Sequence, residues 1–265
     1  MVGPALRSEP MPTPRLRMKM SMSAAAPLTG TQAPGQKTHT GSGIAIDGFR
    51  RGTIEYCEAY QNGALCDATE SGGPVGIWAY NFDRALLQFN KSHHNHSNNQ
   101  ADGGGFDLDG GTTNSVMRYN VSWGNDGYGF QLWDFFWGEF RNNRIHHNVS
   151  LMDCERWRNF GAFVVFGRVM SAELYRNVAY LSADSPAVEI ECWDGAGLRF
   201  SENVYLATGD SQPFSITESP GVGLEARRGF PPRSRRAGPR DPKYRQRSRF
   251  SGRVPVCPKI CLESR

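Results

Sequence analysis

Short apolar segments recur along the middle of the chain: "GIAID" from Gly43, "GIWAY" from Gly76, "GFDLD" from Gly105, "GFQLW" from Gly129, "AFVVF" from Ala162, "VEIEC" from Val188 and "FSITE" from Phe214. Within most of them apolar and polar residues alternate, the period of a strand with one buried face. Their first large apolar residues, Ile44, Ile77, Phe106, Phe130, Phe163, Val188 and Phe214, are spaced by 33, 29, 24, 33, 25 and 26 residues. Self-similarity at such a period is the mark of a solenoid, in which one unit cannot bury its apolar face alone and stacks on the next. A second segment follows each of the first six: "TIEYCEAYQN", "ALLQFNKSHHN", "SVMRYNVSWGN", "GEFRNNRIHHN", "AELYRNVAYLS" and "GLRFSENVYLAT". Asn90, Asn120, Asn143, Asn177 and Asn203 fall at its turn, and Asn95, Asn125 and Asn148 form a second register five residues later. Asparagine tolerates left-handed backbone and bonds main-chain groups. Two short strands per turn with Asn at the corners predict an all-β parallel β-helix of about six to seven rungs over residues 41–219.

Alternation also assigns the outward side chains. If Phe106 and Leu108 point into the coil, Asp107 and Asp109 point out, with Trp78 and Tyr80 on the preceding rung, Gln131 and Trp133 on the next, and Glu189 and Glu191 two rungs beyond. The expectation is an exposed sheet face carrying two carboxylates flanked by aromatic rings. Aromatic faces suit the C–H faces of sugars, and two carboxyls on one strand about 6.6–7 Å apart approach the separation that lets one act as acid and the other as base on a water. Asp107 and Asp109 are the candidate catalytic pair; Trp78, Tyr80, Trp123 and Trp133 are candidate sugar contacts. A solvating role for surface acids is the competing reading.

The corners offer other chemistry. Asp102, Asp126 and Asp184 each stand four residues before a core residue, Phe106, Phe130 and Val188. "ADGG" and "NDGY" are turn sequences, which favours a structural role. Carboxylates on neighbouring rungs are also the hard oxygen donors Ca²⁺ takes, so Asp102 and Asp126 are the candidate metal ligands. Aligning Asn90, Asn120 and Asn143 places His93, Trp123 and His146 in one stack. His146 is the candidate general base, since its ordinary titration range lies near neutrality. Arg118 and Arg141 stand two residues before the corner Asn as candidate substrate clamps, with plain surface arginine as the alternative. The six cysteines imply no disulfide framework in a chain of 265 residues.

Charge changes the picture of the ends. From Arg227 onward there are 13 Lys and Arg against two acids, and over the first forty residues five against one, which leaves 12 against 23 for residues 41–226, a net −11. Residues 1–40 and 220–265 lack apolar periodicity and read as disordered, the latter as a basic tail. No secretory signal core appears at the start, and no apolar run is long enough to span a membrane. The clustered arginines of the tail could hold nucleic acid or another polyanion, but a solvated tail is the favoured reading; on the acidic middle segment a polyuronate would need a bridging cation, and a neutral glycan would not.

The repeats, with "ADGGGFDLDGGTTNSVMRYNVSWGNDGYGF" as the densest stretch, resemble the right-handed parallel β-helix repeats of the pectin-lyase-like superfamily over about two-thirds of the chain. The resemblance implies a carbohydrate-active protein, a polysaccharide lyase or glycoside hydrolase acting on a polysaccharide outside the cell or at its surface. It equally covers non-catalytic glycan-binding or structural β-helices, and truncated relics of them, because fold does not fix function. The "NTD", "DD", "GHG" and "RIK" signatures of the related hydrolases are absent. Arg118 and Arg141 match the base or substrate clamp of the lyases in residue type only.

Overall fold

The computed structural model describes residues 41–66, 72–98, 102–134, 138–158, 160–182, 184–192, 197–208 and 214–216, together with short terminal strands. Its strands form a coil of three parallel sheets. The first sheet stacks Ile44–Asp47, Val75–Tyr80, Gly104–Asp109, Phe130–Asp134, Phe163–Gly167, Val188–Cys192 and Phe214–Ile216. The second stacks Arg50–Glu55, Asp83–Gln88, Val116–Arg118, Asn143–His146, Ser171–Tyr175 and Gly197–Ser201. The third stacks Glu58–Tyr60, Lys91–His93, Val121–Trp123, Val149–Leu151, Val178–Leu181 and Val204–Ala207. Six turns carry all three strands and Phe214–Ile216 begins a seventh. Of the two ends expected to be disordered, the structure describes only Lys19–Met20, Leu28–Thr29, Gln246–Arg247, Ser251–Val254 and Ile260–Glu263, which extend the second and third sheets; the remainder lies outside the described residues.

Each turn thus has three strands where the pattern suggested two. The second sequence segment is broken in its middle by a two-residue corner, a left-handed residue such as Phe89 at φ 56° or Tyr119 at φ 54° followed by the buried corner Asn. The inward residues of the strand that follows, Ser92, Ser122 and Ser150, are small and polar and carry no apolar period, so two strands read as one.

The register of the first sheet follows the repeat: Ile44 pairs with Ile77, Ile77 with Phe106, Phe106 with Phe130, Phe130 with Phe163, Phe163 with Val188 and Val188 with Phe214. Inside the coil the rings of Phe106, Phe130 and Phe163 stack at centroid distances of 5.0 and 5.1 Å. Leu87, Met117, Ile145 and Leu174 of the second sheet close the core opposite them. Each such fully buried side chain is worth about 1.5–3 kcal/mol of burial.

The corner between the second and third sheets holds an asparagine ladder. Asn120 Oδ1 accepts from both the backbone N–H and Nδ2 of Asn90, and Asn148, Asn177 and Asn203 repeat the pattern upward, all at 2.9–3.1 Å. Each Nδ2 also donates to a buried carbonyl of the coil before, as Asn148 does to Met117. The ladder member on the fourth turn is Asn148, whereas sequence alignment had placed Asn143 there. Asn143 instead accepts from the Ser115 amide at the preceding corner. "RNNRIHHN" offers Asn at both spacings, and only strand register distinguishes them. A second column, Asn62, Asn95 and Asn125, ends on Asp153.

Candidate functional site

The outer face of the first sheet carries the residues that alternation assigned to it. Trp78 is in register with Asp107, and Asp107 and Asp109 with Gln131 and Trp133. Farther along, Gln131 and Trp133 align with Val164 and Phe166, and these with Glu189 and Glu191. The face is not exposed, however: Asp107 and Asp109 are each 2% accessible. The expectation of an open face fails because a second apolar layer lies outside the coil. Val75, Trp78, Tyr128, Cys154, Phe160 and Val164 form it, with Tyr80, Trp157 and Phe166 packed against it. Trp157 and Phe160 belong to the segment that follows the third-sheet strand Val149–Leu151. Tyr128 reaches the face because Gly104 leaves room; a Cβ there would collide with its ring.

Within this dry layer the two carboxyls differ. Asp109 Oδ2 accepts from Trp78 Nε1 at 3.1 Å and its Oδ1 from the Gly110 amide at 3.1 Å. Asp107 Oδ2 accepts from Gln131 Nε2 at 3.0 Å and Tyr128 Oη at 3.3 Å, while its Oδ1 has no partner. Burial raises the pKa of Asp107 well above the usual carboxylate range, and the charges of Asp109 and Asp102 push it the same way. Burial likewise raises Asp109, but the Gly110 and Trp78 donors work against it. Both carboxyls are therefore held well above the usual range, Asp107 with a bare oxygen and Asp109 with both oxygens served by donors, and the charge of Asp109 makes Asp107 the harder of the two to ionise.

Tyr128 ties the pair to the corner, its single O–H shared between Asp102 Oδ1 at 2.9 Å and Asp107 Oδ2 at 3.3 Å. Asp102 in turn accepts from the Gly73 amide. Asp126 accepts from the Ser97 amide at 3.0 Å and lies 3.7 Å from Arg156. Both corner aspartates thus bind amides of the preceding turn, and among the described residues no three His, Cys, Asp or Glu side chains converge as a metal ion requires. Asp184 is exposed and paired with Arg158.

The remaining candidates are not brought to this face. His146 lies on the second sheet, in register with Arg118 and Tyr175. It is not stacked beneath His93, because the ladder Asn of its turn is Asn148. Burial first, then His147 and the cations of Arg118, Arg144 and Arg176, push its pKa down to about 4. Trp123 lies on the third sheet, stacked on His93 at 3.8 Å. Arg118 donates to Gln88 on the second sheet, and Arg141 pairs with Glu139. Trp78, Tyr80 and Trp133 do flank the aspartates, and Trp78 stacks on Tyr80 at 4.5 Å. Sequence reasoning missed Tyr128, Trp157 and Phe160. "NDGYGF", a tyrosine between two glycines, was the available signal for the first; "CERWRNF" follows a strand end and shows no period that would assign it.

A family model described as a right-handed β-helix region matches residues 36–205. The chain belongs to that family. Searches of curated proteins and of solved structures returned no match. Within the right-handed β-helix, the Asn-lined corner separates the second and third sheets, and the aspartates lie on the first. Among the described residues of this β-helix no helix is long and apolar enough to cross a membrane.

Proposed function

We propose that this β-helix cleaves a polysaccharide on the outer face of its first sheet, with Asp107 as acid and Asp109 as base. The observation that carries the reading is the unequal pair: two buried carboxyls with raised pKa values, one with an unpartnered oxygen and, two residues on, one with both oxygens hydrogen-bonded. A carboxylic acid kept protonated near neutrality can donate to a glycosidic oxygen, and its ionised neighbour can activate water or take a ring proton. Trp78, Tyr80 and Trp133 supply apolar surface for sugar rings. The pair is dry in the closed state described, so turnover requires the segment carrying Trp157 and Phe160 to swing clear. Arg156 fastens that segment by donating to Ser97 O at 2.9 Å.

The test is a panel of neutral and uronate glycans, read for new reducing ends and for the absorbance of unsaturated uronate. New reducing ends without absorbance mean hydrolysis; absorbance means elimination. Asp107→Asn and Asp109→Asn are expected to abolish turnover with no loss of melting temperature, since Asn keeps the shape but neither ionises nor provides a carboxyl proton. Undiminished turnover in both variants refutes the assignment. Glycan binding without turnover in the wild type leaves a binding or structural β-helix.

A further inference from the structure

The outer face of the second sheet carries different chemistry. At the corner just before the Asn ladder the first three turns place an aromatic residue: Tyr56, Phe89 and Tyr119, at φ 58°, 56° and 54°. Bulky residues rarely occupy this left-handed region, where Asn or Gly would sit at lower cost. The rings nevertheless stack, with centroids 5.3 and 5.4 Å apart, and remain 61%, 41% and 43% exposed. The corner takes a left-handed residue on every turn, His147, Arg176 and Glu202 included, so the fold calls for the conformation but not for an exposed aromatic ring.

Cations border this row. The Arg118 guanidinium lies 5.8 Å from the centre of the Tyr119 ring. Arg118 is in register with His146, and His146 with Tyr175, whose rings stack at 4.7 Å. Arg144 stands exposed on the same strand as His146. Arg118 donates to the neutral amide oxygen of Gln88 at 2.8 and 3.0 Å. Among the described residues no carboxylate lies within ion-pair distance of Arg118 or Arg144, whereas Arg176 and Arg199 are paired with Glu202 and Glu173. Beyond Tyr175 the face continues as a shallow depression of about 290 Å³ in which Arg176 and Arg199 are balanced by Glu202 and Glu173, so the uncompensated cations are those of Arg118 and Arg144. In a segment of net charge −11, this is a positive, aromatic strip running along the coil axis.

We infer that the strip from Phe89 and Tyr119 across Arg118, Arg144 and Tyr175 is a second glycan-binding surface that holds a uronate-bearing polysaccharide chain. Guanidinium groups without a carboxylate partner fit carboxylates in fork geometry, with Arg118 exchanging the amide oxygen of Gln88 for the ligand's carboxylate, and the ring edges and the open face of Tyr56 add apolar contact for sugar C–H groups. The strip supplies the positive charge that a polyuronate needs to approach an acidic protein. This inference rests on the carbohydrate reading above but not on cleavage, and it uses no residue of the aspartate face.

Affinity electrophoresis of the full chain through gels containing polygalacturonate, at increasing salt, tests it. Arg118→Ser with Arg144→Ser, and separately Phe89→Asn with Tyr119→Asn, are expected to weaken retention at least ten-fold while leaving the melting temperature in place, because Asn suits left-handed backbone. Asp107→Asn is expected to be retained like the wild type, and a neutral glucan gel to retain neither. Undiminished retention in both double variants assigns binding to the basic tail and overturns the inference. So does a loss confined to the arginine pair, which is ion exchange, or equal retention in gels of single-stranded RNA. Strip-dependent retention by a protein that turns over no glycan sinks the cleavage reading and leaves this one standing.

Discussion

The corner between the second and third sheets and the outer layer of the first both bury polar side chains on consecutive turns, and they treat them in opposite ways. At the corner every ladder member is a neutral amide, and each oxygen and nitrogen meets a partner on the neighbouring turn. On the first sheet the buried groups are carboxyls, pressed against one another's charge, with Asp107 Oδ1 left without a partner. A buried amide with every bond made is a structural element; a buried acid with a bond missing is a cost that the fold carries without structural return. Perturbed, incompletely satisfied acids are where chemistry concentrates. The difference separates what holds the coil from what the coil can act with.

The largest effect expected from breaking this contrast is on the ladder. Asn148→Ala removes the acceptor of both Asn120 donors and the donor to Met117 O and Asn177 Oδ1. Leaving those buried groups unpaired is expected to cost roughly 4 kcal/mol, measured as a lower denaturant midpoint in urea. Asp107→Asn in the same assay is expected to lose nothing, since it removes a raised acid. A ladder substitution that costs no more than the aspartate one would erase the distinction.

Asp153 joins the two cases, because it ends the Asn62, Asn95 and Asn125 column with a carboxylate. Its Oδ1 accepts from Asn125, and Ser150 Oγ donates to Oδ2 at 2.6 Å. Burial lifts its pKa to about 6, against the pull of those donors. A native pKa above the ordinary value of 3.8 means that the folded state holds the proton more tightly, so stability falls as pH rises from about 4 to 6 and is flat above. Asp153→Asn continues the column, and its Nδ2 meets Ser150 Oγ as Asn95 and Asn125 meet Ser92 and Ser122. The variant is expected to be more stable at pH 8 by about 3 kcal/mol, with the gain gone below pH 4. A gain independent of pH would show that packing, not ionisation, sets it.

Much of this was legible in the residues. Inward Ile77, Phe106, Phe130 and Phe163 gave the register of the first sheet because apolar alternation and parallel pairing share one period. Trp78, Asp107, Gln131 and Trp133 followed from it on the outer face. The third strand of each turn was hidden although Asn90 and Asn120 marked the corner, because its inward residues Ser92, Ser122 and Ser150 carry no apolar period that would set it apart. Asn143 and Asn148 were confused because both spacings carry Asn. Burial of the aspartates was also invisible: the outer layer comes from Tyr128, Trp157 and Phe160, which lie in irregular corners without periodicity. His146 was grouped with the wrong neighbours for a related reason, since a misplaced corner moves a residue onto another sheet, whereas Trp123 stacks on His93 as aligned.

The smallest effect sharpens the comparison at its edge. Glu189 stands on the first-sheet face and accepts from the Gly161 amide at 3.1 Å, directly after Phe160 of the covering segment. Burial raises its pKa to about 7, opposed by the Gly161 bond and assisted by the charge of Glu191. The raised value again means that the folded state prefers the protonated side chain: the contribution is complete below about pH 4.5 and is lost as pH rises through 7. Glu189→Gln keeps an acceptor for Gly161 and removes the ionisation. It is expected to stabilise the fold by about 1 kcal/mol above pH 7, reduced from the full shift because the side chain still meets solvent, and to have no effect below pH 4.5. Amide hydrogen exchange at Gly161 locates the effect. Exchange that slows in the variant at pH 8 but not at pH 4.5 ties the acid to the closed cover, and exchange that is unchanged at both places the stabilisation elsewhere in the coil.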